Sequence, residues 1–313
     1  MNSLSKWELH RLKIYYSIFR IVAGDSRITF NNIASTMGYV GRGRNPTTIL
    51  KHYENMLKKE VFREPKITLR AFKNAQSTGY FCRKIERKNF HATFLNLHED
   101  ARINYVIYLA GGSDFFITSR EKDLDLLSYD LETTEVLKLY TPMYTIPKGW
   151  NTPMDRALKS LLECNYAEGY ISREIRDCLA WSDIDWAIYN SMRENIRKAF
   201  SEVGREIGCY HKTVKSHFYE KVLPCCVVAN YFFPKGYQYY RQAFLKIETK
   251  YEKDFVKALI RLPCTTYVFP IDTGLLVNVF HGNHNKFMSI VKKLEELGVI
   301  DSFFLHIPVS SAI

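Results

Sequence analysis

The same order of predicted elements occurs twice along this chain of 313 residues. In each copy, apolar residues at helical spacing predict a helix, a short helix and a turn follow, and a third helix leads into a strand-rich stretch. The third helix is predicted at TTILKHYENMLKK in the first copy and at KTVKSHFYEKVL in the second. A scaffold helix, a helix-turn-helix and then strands is the order of a winged helix. The chain therefore has to accommodate two winged helices.

Local start and stop signals support these helices. Asn45 and Pro46 occupy the capping and first-turn positions of the third helix in the first copy. In the second copy, Gly208 is placed to end the short helix and Pro224 to end the third. After the first helix-turn-helix, the stretch VFREPKITLRAF is predicted to form a β-hairpin wing.

The segment after each winged helix is also repeated. Alternating strands at GYFCRKIE and YYRQAFLKIE each precede an apolar-periodic helix and two further strands. In the second copy, KFMSIVKKLEEL and FFLHIPV complete the order β-α-β-β-α-β, which is ferredoxin-like. In the first copy the second helix is poorly supported, because REKDLDLLSYDLETTE carries few apolar positions.

The predicted fold class is α+β, with two winged helix-turn-helix domains alternating with two ferredoxin-like modules. In the linker between the halves, Met154 and Leu158 predict one helix, and Ile171, Ile175 and Leu179 predict a second. We expect a first winged helix at 1–75, a first module at 76–150, a helical linker at 151–182, a second winged helix at 183–235 and a second module at 236–313.

Positive charge is concentrated in the first winged helix. The chain carries 44 Lys and Arg against 33 Asp and Glu, a net charge of +11. Residues 1–75 hold 14 basic and 5 acidic residues, a net charge of +9. A local excess of that size suits the neutralisation of phosphates, although a solvated basic face is the plain alternative. Beside a helix-turn-helix it favours double-stranded DNA as the partner.

The turn and the start of each third helix supply the candidate DNA contacts. Arginine grips guanine or phosphate, and Thr and Lys at helix starts commonly meet phosphate oxygens. The alternative is a solvated loop and, for the nearly neutral second unit, a winged helix that serves assembly. The candidates are Arg42, Arg44, Thr47, Thr48, Lys51 and His52 in the first copy and His211, Lys212, Thr213, Lys215 and Ser216 in the second.

Several other kinds of site are not predicted. The seven cysteines are an odd number without a C-x-x-C pair, which favours buried free thiols in a reducing compartment. The N-terminus lacks the apolar core of a signal peptide and no stretch is long enough to span a bilayer, so we expect a soluble, cytoplasmic protein without a membrane partner. His281 and His284 lie in a stretch typical of a turn, and no phosphate loop, nucleophile elbow or paired Cys/His site is present. We therefore expect no enzyme activity, cofactor or metal.

The chain resembles the leucine-responsive (Lrp/AsnC, feast/famine) transcription regulators, here as two tandem copies. FSEVGREIGCYHKTVKSHFYEKVL is similar to the family pattern S-x-x-A-x-x-x-G-x-S-x-x-T-V, and AGGSDFF resembles the family's G-x-x-D loop. The resemblance implies sequence-specific regulation, assembly as a dimer or larger homo-oligomer through the α/β modules, and an amino acid or related small effector. That effector would bind near Gly111, Gly112, Ser113 and Asp114. In the second module the equivalent stretch, PIDTGLL, keeps the motif only in displaced form.

Two other functions remain open on the same scaffold. Siroheme decarboxylases look like this family and work as two related subunits, a pair that a tandem chain would mimic. VFHG at 279–282 is similar to their pattern, whereas the His-Cys-Tyr element expected near PCTTY at 263–267 is mostly absent. An architectural DNA-binding protein without an effector is the other alternative. The departure from the decarboxylase pattern and the basic first winged helix favour regulation.

Overall fold

The computed structural model describes residues 6–39, 45–121 and 124–312, and it begins with a three-helix unit followed by a strand. These elements are α1 (Lys6–Gly24), α2 (Phe30–Thr36), α3 (Pro46–Lys58) and β1 (Phe62–Leu69). The Asn45 side chain accepts a hydrogen bond from the Thr48 amide (2.9 Å), which confirms it as the cap of α3. Phe19 on α1, Ile33 on α2 and Ile49 on α3 are fully buried in a shared core.

The next elements form the first ferredoxin-like module. They are β2 (Thr78–Lys84), α4 (Phe90–Glu99), β3 (Ile103–Ala110), β4 (Phe115–Ser119) and β5 (Leu131–Lys138). Their order in the sheet is β5-β2-β4-β3. Between β4 and β5 the described residues form one 3₁₀ turn, Leu127–Tyr129, and no α-helix. A polar stretch offers a helix little apolar surface to bury, so a turn takes its place.

The segment between the two halves contains β6 (Met143–Tyr144) and α5 (Met154–Lys159), which a 3₁₀ turn extends to Glu163. The second predicted linker helix is wrong, because residues 164–182 form no helix and contain one isolated bridge, from Arg176 to Phe72. Arg173 in this stretch pairs with buried Glu252 (2.6 Å). The Leu179 amide donates to the Asn74 side chain (2.7 Å). These tertiary partners satisfy the backbone and side chains without a helix.

The second half repeats both kinds of unit. Its winged helix contains α6 (Asp183–Met192), α7 (Phe200–Ile207), α8 (His211–His217), which continues as a wider π turn through Val222, and β7 (Cys226–Phe232). Its module contains β8 (Arg241–Glu248), α9 (Glu252–Leu259), β9 (Tyr267–Ile271), β10 (Gly274–His281), α10 (His284–Glu296) and β11 (Ser302–Ala312). Gly208 ends α7 at φ 68°, a left-handed conformation that favours glycine.

The two modules share one nine-stranded sheet, in the order β5-β2-β4-β3-β11-β8-β10-β9-β6. The strand order within each module is the ferredoxin-like one, and β3 pairs with β11 to join them. Leu139, directly after β5, bridges to Ile271 at the far end of the sheet, so the sheet curves back on itself. Its inner face is apolar, and the Phe116 and Phe244 rings from the two modules lie 4.9 Å apart.

The two winged helices are joined by their strands. β1 pairs antiparallel with β7, and Phe62 lies opposite Phe232. The predicted hairpin wing is therefore wrong, because the partner of β1 comes from the other half of the chain. The residues after β1 do not form the second strand of a hairpin. Instead, the Arg70 amide donates a hydrogen bond to the Cys225 carbonyl in the second half of the chain (3.0 Å). The fold is nonetheless of the predicted class, with two winged helices and two ferredoxin-like modules.

Cysteine burial and helix length bear on two further expectations. Cys82, Cys226 and Cys264 are buried free thiols, whereas Cys178 is exposed. Within the ranges that the structure describes, no helix combines the length and apolar character needed to cross a bilayer.

Candidate functional site

Two arginines at equivalent positions tie the winged helices to each other. Arg27 lies three residues before α2, and Arg197 lies three residues before α7. The Arg27 guanidinium donates to backbone carbonyls in the loop before α7, including that of Lys198 (3.0 Å). In return, Arg197 donates to the carbonyls of Ser26 (2.8 Å) and Ile28 (3.0 Å) in the loop before α2. The contact is reciprocal and follows an approximate two-fold relation.

Each of these arginines also lies over aromatic rings of the opposite unit. The Arg27 guanidinium is 3.9 Å from the ring centroid of Phe200, the first residue of α7. Arg197 is 5.0 Å from the ring centroid of Phe30, the first residue of α2, and 5.2 Å from that of Tyr53 on α3. Cation–π contacts in partly buried positions add to the hydrogen bonds. The two helix-turn-helix units are therefore held together as one body.

The N-terminal part of α3 presents a subset of the predicted DNA contacts. Thr47 and Lys51 are exposed. The Thr48 hydroxyl donates to the Asn45 side chain (3.1 Å) and thus contributes to the helix cap. His52 is half-buried, packs edge-on against Tyr15 at 5.9 Å, and has its pKa lowered by burial. Arg42 and Arg44 lie outside the described residues.

The equivalent part of α8 is largely open to solvent. Its position is fixed by His217, whose Nδ1 lies 2.8 Å from a carboxylate oxygen of buried Asp185 on α6. Asp185 also accepts hydrogen bonds from the backbone and side chain of Ser182. Of the predicted contacts, Thr213 is half-buried, and those that are exposed are His211, Lys212, Lys215 and Ser216.

Part of the basic charge of the first 75 residues lies between the two halves of the chain rather than on the surface that the sequence predicts to face DNA. Arg63 lies 3.8 Å from the ring centroid of Tyr237, and Lys66 pairs with Glu194. Arg27 is engaged by the loop before α7. The basic residues of this unit that are exposed on the described helices and at the end of α3 are Lys6, Lys13, Arg20, Lys51, Lys58 and Lys59.

The predicted effector loop lies at the junction of β3 and β4, beside β11. Asp114 is buried, and its Oδ2 accepts from the Lys84 amide (2.9 Å) and from Arg87 (2.5 Å). The Gly112 carbonyl accepts from Arg83 (2.9 Å). Among the other loop residues, Gly111 is exposed at φ 135° and Ser113 is buried 3.5 Å from the Thr134 hydroxyl. The loop carboxylate is thus engaged within the chain, and its role toward an effector stays a prediction.

A cavity of about 400 Å³, here named the central cavity, lies between the paired winged helices and the sheet. Sequence reasoning singled out none of its lining as a site, because the residues come from many separate segments and share no motif. The lining includes Lys66, Ile67, Thr68, Ser77, His98, Ile103, Asn104, Tyr105, Val106, Thr118, Arg120, Leu139, Tyr144, Tyr189, Arg193, Glu194, Tyr231, Tyr267, Phe269, Asn278 and Phe280.

Four tyrosines from β3, β6, β7 and β9 converge in the central cavity: Tyr105, Tyr144, Tyr231 and Tyr267. Tyr144 stacks on Tyr267 at 4.5 Å and meets Tyr231 edge-on at 5.8 Å. The Tyr144 hydroxyl lies 3.2 Å from the Thr68 hydroxyl. Burial raises the pKa of all four, to about 12 at Tyr144. At neutral pH they are therefore uncharged hydroxyls that can donate hydrogen bonds.

The charged residues of the central cavity are mainly cationic. Arg120 donates through Nη2 to the Tyr189 hydroxyl (2.9 Å), while its buried Nε has no hydrogen-bond partner in the part of the chain that the structure describes. At the rim, Lys66 and Arg193 share the single carboxylate of Glu194. Three cationic side chains thus face one carboxylate.

A second depression, of about 790 Å³, surrounds α5 but is a weaker candidate for a site. Its Asp155 is paired with Lys286, and its Arg261 donates to the Ser160 carbonyl (3.1 Å). These charged groups already have partners on the protein.

His281 ends β10 and His284 begins α10. His281 is buried, stacks on Phe287 at 4.7 Å, and its ring centroid is 5.9 Å from that of His284. Burial lowers the pKa of His281 to about 4. Across the described ranges, no group of three or more His, Cys, Asp or Glu side chains is arranged to hold a metal ion.

Neither a family model nor a curated protein matches the chain. Among solved structures, it is similar to the siroheme decarboxylase NirDL, with a TM-score of 0.52 and 9% identity over 95% of this chain and 91% of that one. For the same enzyme in co-complex with an iron-uroporphyrin III analogue, the TM-score is 0.52, with 7% identity over 95% of this chain and 92% of that one. For E. coli AsnC the TM-score is 0.30, with 15% identity over 40% of this chain and 89% of that one. At these identities, the first two likenesses establish a shared fold along nearly the whole chain.

Proposed function

We propose that this chain is a sequence-specific DNA-binding transcription regulator of the Lrp/AsnC type, in which one chain supplies both winged helices. The observation that carries the proposal is the reciprocal contact of Arg27 and Arg197, which joins the two units while the starts of α3 and α8 stay exposed. Paired helix-turn-helix units read two half-sites whose spacing mirrors the symmetry of the protein.

In this proposal the first unit provides most of the electrostatic attraction. Lys51 and Thr47 on α3, together with Arg42 and Arg44, which precede it in sequence, contact the DNA. The exposed Lys212 and Lys215 on α8 belong to a less basic unit and contribute a weaker second half-site. The proposed division of the chain places the winged helices at 1–75 and 183–235.

In this proposal, the two halves of a single chain take the place of the two subunits of a dimer. The support is that β3 pairs with β11 and that the inner faces of both modules are packed together inside one chain. That several chains assemble into a homo-oligomer stays a prediction. That the protein acts in the cytoplasm also stays a prediction.

Selection of bound fragments from genomic DNA, followed by titration of the selected site at several salt concentrations, tests this function. We expect a site with two half-sites at fixed spacing and a binding constant that falls steeply with salt. Recovery of unrelated fragments without a common site would instead indicate an architectural DNA-binding protein.

A second candidate is an enzyme on this scaffold, and the central cavity is the observation that favours it. Its cationic lining suits a substrate with carboxylates, and the fold is shared with a siroheme decarboxylase. Its volume of about 400 Å³, however, lies near the lower end of the range for ligand pockets, which suits a smaller molecule than a macrocycle. Incubation of the purified protein with siroheme, followed by absorbance spectra, tests the siroheme form of this candidate, and unchanged spectra would exclude siroheme as the bound molecule.

A further inference from the structure

The central cavity is bounded by parts of the winged helices and of both modules. Thr68 on β1 and Tyr189 on α6 come from the winged helices. Arg120, directly after β4, comes from the first module, and Asn278 on β10 comes from the second. A molecule that fills this cavity therefore contacts the elements that carry α3 and α8 as well as the sheet.

The cavity contains an arginine that lacks an anionic partner. Arg120 lies 5.3 Å from the ring centroid of Tyr189 and 5.7 Å from that of Trp186. Within the described ranges, no carboxylate forms an ion pair with Arg120, and its Nε is buried without an acceptor. Arg120 is half-buried, with only its Nε enclosed, so its guanidinium can still bind an anion from the cavity, and a carboxylate is the group that matches its donor geometry.

Other polar atoms in the cavity lack partners as well. The Tyr105 hydroxyl and the Asn104 amide nitrogen are buried with no hydrogen-bond partner among the residues the structure describes, and the same holds for the Asn278 amide oxygen. Asn278 is 3% exposed and lines the cavity. Buried polar groups in native proteins normally have hydrogen-bond partners, so these atoms are available to pair with polar groups of a molecule bound in the cavity.

The rest of the cavity wall is aromatic and apolar. The stacked rings of Tyr144 and Tyr267 form one side, and Phe269 lies 4.3 Å from Tyr267 by ring centroids. Leu139 and Val106 add aliphatic surface. Such a wall suits a flat ring, which stacks or packs edge-on with aromatic side chains.

We propose that the central cavity binds a small aromatic carboxylate, with its carboxylate on Arg120 and its ring against Tyr144 and Tyr267. The volume of about 400 Å³ falls within the usual range for small-molecule sites. Such a ligand bridges the winged helices and the sheet. It is therefore placed to alter how the two helix-turn-helix units are held.

Isothermal titration calorimetry on the full chain without DNA tests this proposal. The probes are phenylacetate, 4-hydroxyphenylacetate and indole-3-acetate, each compared with the corresponding neutral amide. We expect at least one carboxylate to bind about tenfold or more tightly than its amide, because a charge-assisted hydrogen bond is lost in the amide. Equal binding of acid and amide in all three pairs, or no binding of any carboxylate, would overturn the proposal.

Variants locate the site. Arg120→Gln is expected to weaken the carboxylate by about tenfold or more, whereas Arg205→Gln, which alters an exposed arginine on α7, leaves it unchanged. Should Arg120→Gln fail to fold, the change in tryptophan emission on adding phenylacetate to the unaltered protein, and its loss in Trp186→Phe, provide a second readout, since Trp186 lies beside Arg120. A folded Arg120→Gln variant with undiminished binding, or unchanged emission at saturating carboxylate, would contradict the assignment. Because no DNA is present, the outcome is independent of the proposed regulatory function.

Discussion

Arg27 and Arg197 stand at the same position in two helix-turn-helix units, and each donates hydrogen bonds to the loop from which the other projects. Each also lies over the first aromatic ring of the opposite short helix, Phe200 or Phe30. Two equivalent sets of arginine contacts across one interface fix both the distance and the relative rotation of the two helix-turn-helix units. The proposed DNA-binding function depends on this arrangement.

Replacement of either arginine should destabilise the fold. Arg27→Ala removes hydrogen bonds to partly buried backbone carbonyls and a cation–π contact, and we expect a loss of about 2–4 kcal/mol in the free energy of unfolding. Arg197→Ala should have a similar effect. Urea unfolding measures both, with Arg205→Ala as the control for removal of an exposed arginine. If these variants lose no more unfolding free energy than the control, the reciprocal arginine contacts contribute little to stability.

The isolated halves should be poorly stable, because each winged helix completes its core with the other. Phe232 on β7 is fully buried in the core of the first unit, 4.9 Å from Phe19 by ring centroids. We expect residues 1–150 alone to unfold readily or aggregate and to be rescued by co-expression with residues 151–313. Phe232→Ala in the full chain should cost about 3–5 kcal/mol. A sharp, independent thermal transition of the 1–150 fragment would contradict this interdependence.

DNA contacts should be visible in the salt dependence of binding. Each lost phosphate contact lowers the magnitude of the log–log salt slope by about 1. We therefore expect Lys51→Ala to weaken binding and reduce the slope by about 1 if it meets a phosphate, and Arg42→Ala with Arg44→Ala to weaken it further. Lys257→Ala, an exposed residue on α9, is the matched control. An unchanged slope in all of these variants would place the DNA elsewhere on the protein.

His281 should make the protein sensitive to mild acid. Burial lowers the pKa of His281 to about 4, so the folded state keeps the ring neutral while the unfolded chain takes up a proton below its ordinary pKa of 6.5. Stability is therefore lost as pH falls from 6.5 toward 4, by roughly 2 kcal/mol at pH 5. His281→Phe should remove this part of the pH dependence. The exposed His91→Phe serves as control, and identical pH profiles for His281→Phe and the unaltered protein would refute the claim.

Much of the fold can be predicted from local sequence signals, because they act over a few residues. Asn45 caps α3 and Gly208 ends α7 as predicted, and the order of strands and helices in both modules agrees with the periodicity. The pairing of β1 with β7 depends on residues more than 150 positions apart, such as Phe62 and Phe232. Local patterns carry no information about such a partner.

The candidate sites are less predictable for the same reason. Counting charge attributes Arg63 and Lys66 to a DNA-facing surface, yet the first lies over Tyr237 and the second pairs with Glu194. The central cavity is assembled from side chains, among them Tyr105, that are brought together only by the three-dimensional arrangement. The abundance of tyrosine in predicted strands is the available signal, but it does not distinguish a core from a cavity.

The most direct test of the proposed function compares binding of the full chain to a selected genomic site and to a shuffled fragment of equal length at the same salt concentration. A sequence-specific regulator should prefer the selected site by about 1,000-fold or more. Changing the spacing between the two half-sites by half a helical turn should abolish most of that preference, because the joined winged helices have a fixed relative orientation and cannot both reach their half-sites. Equal affinity for selected and shuffled DNA, or indifference to the spacing, would contradict the account.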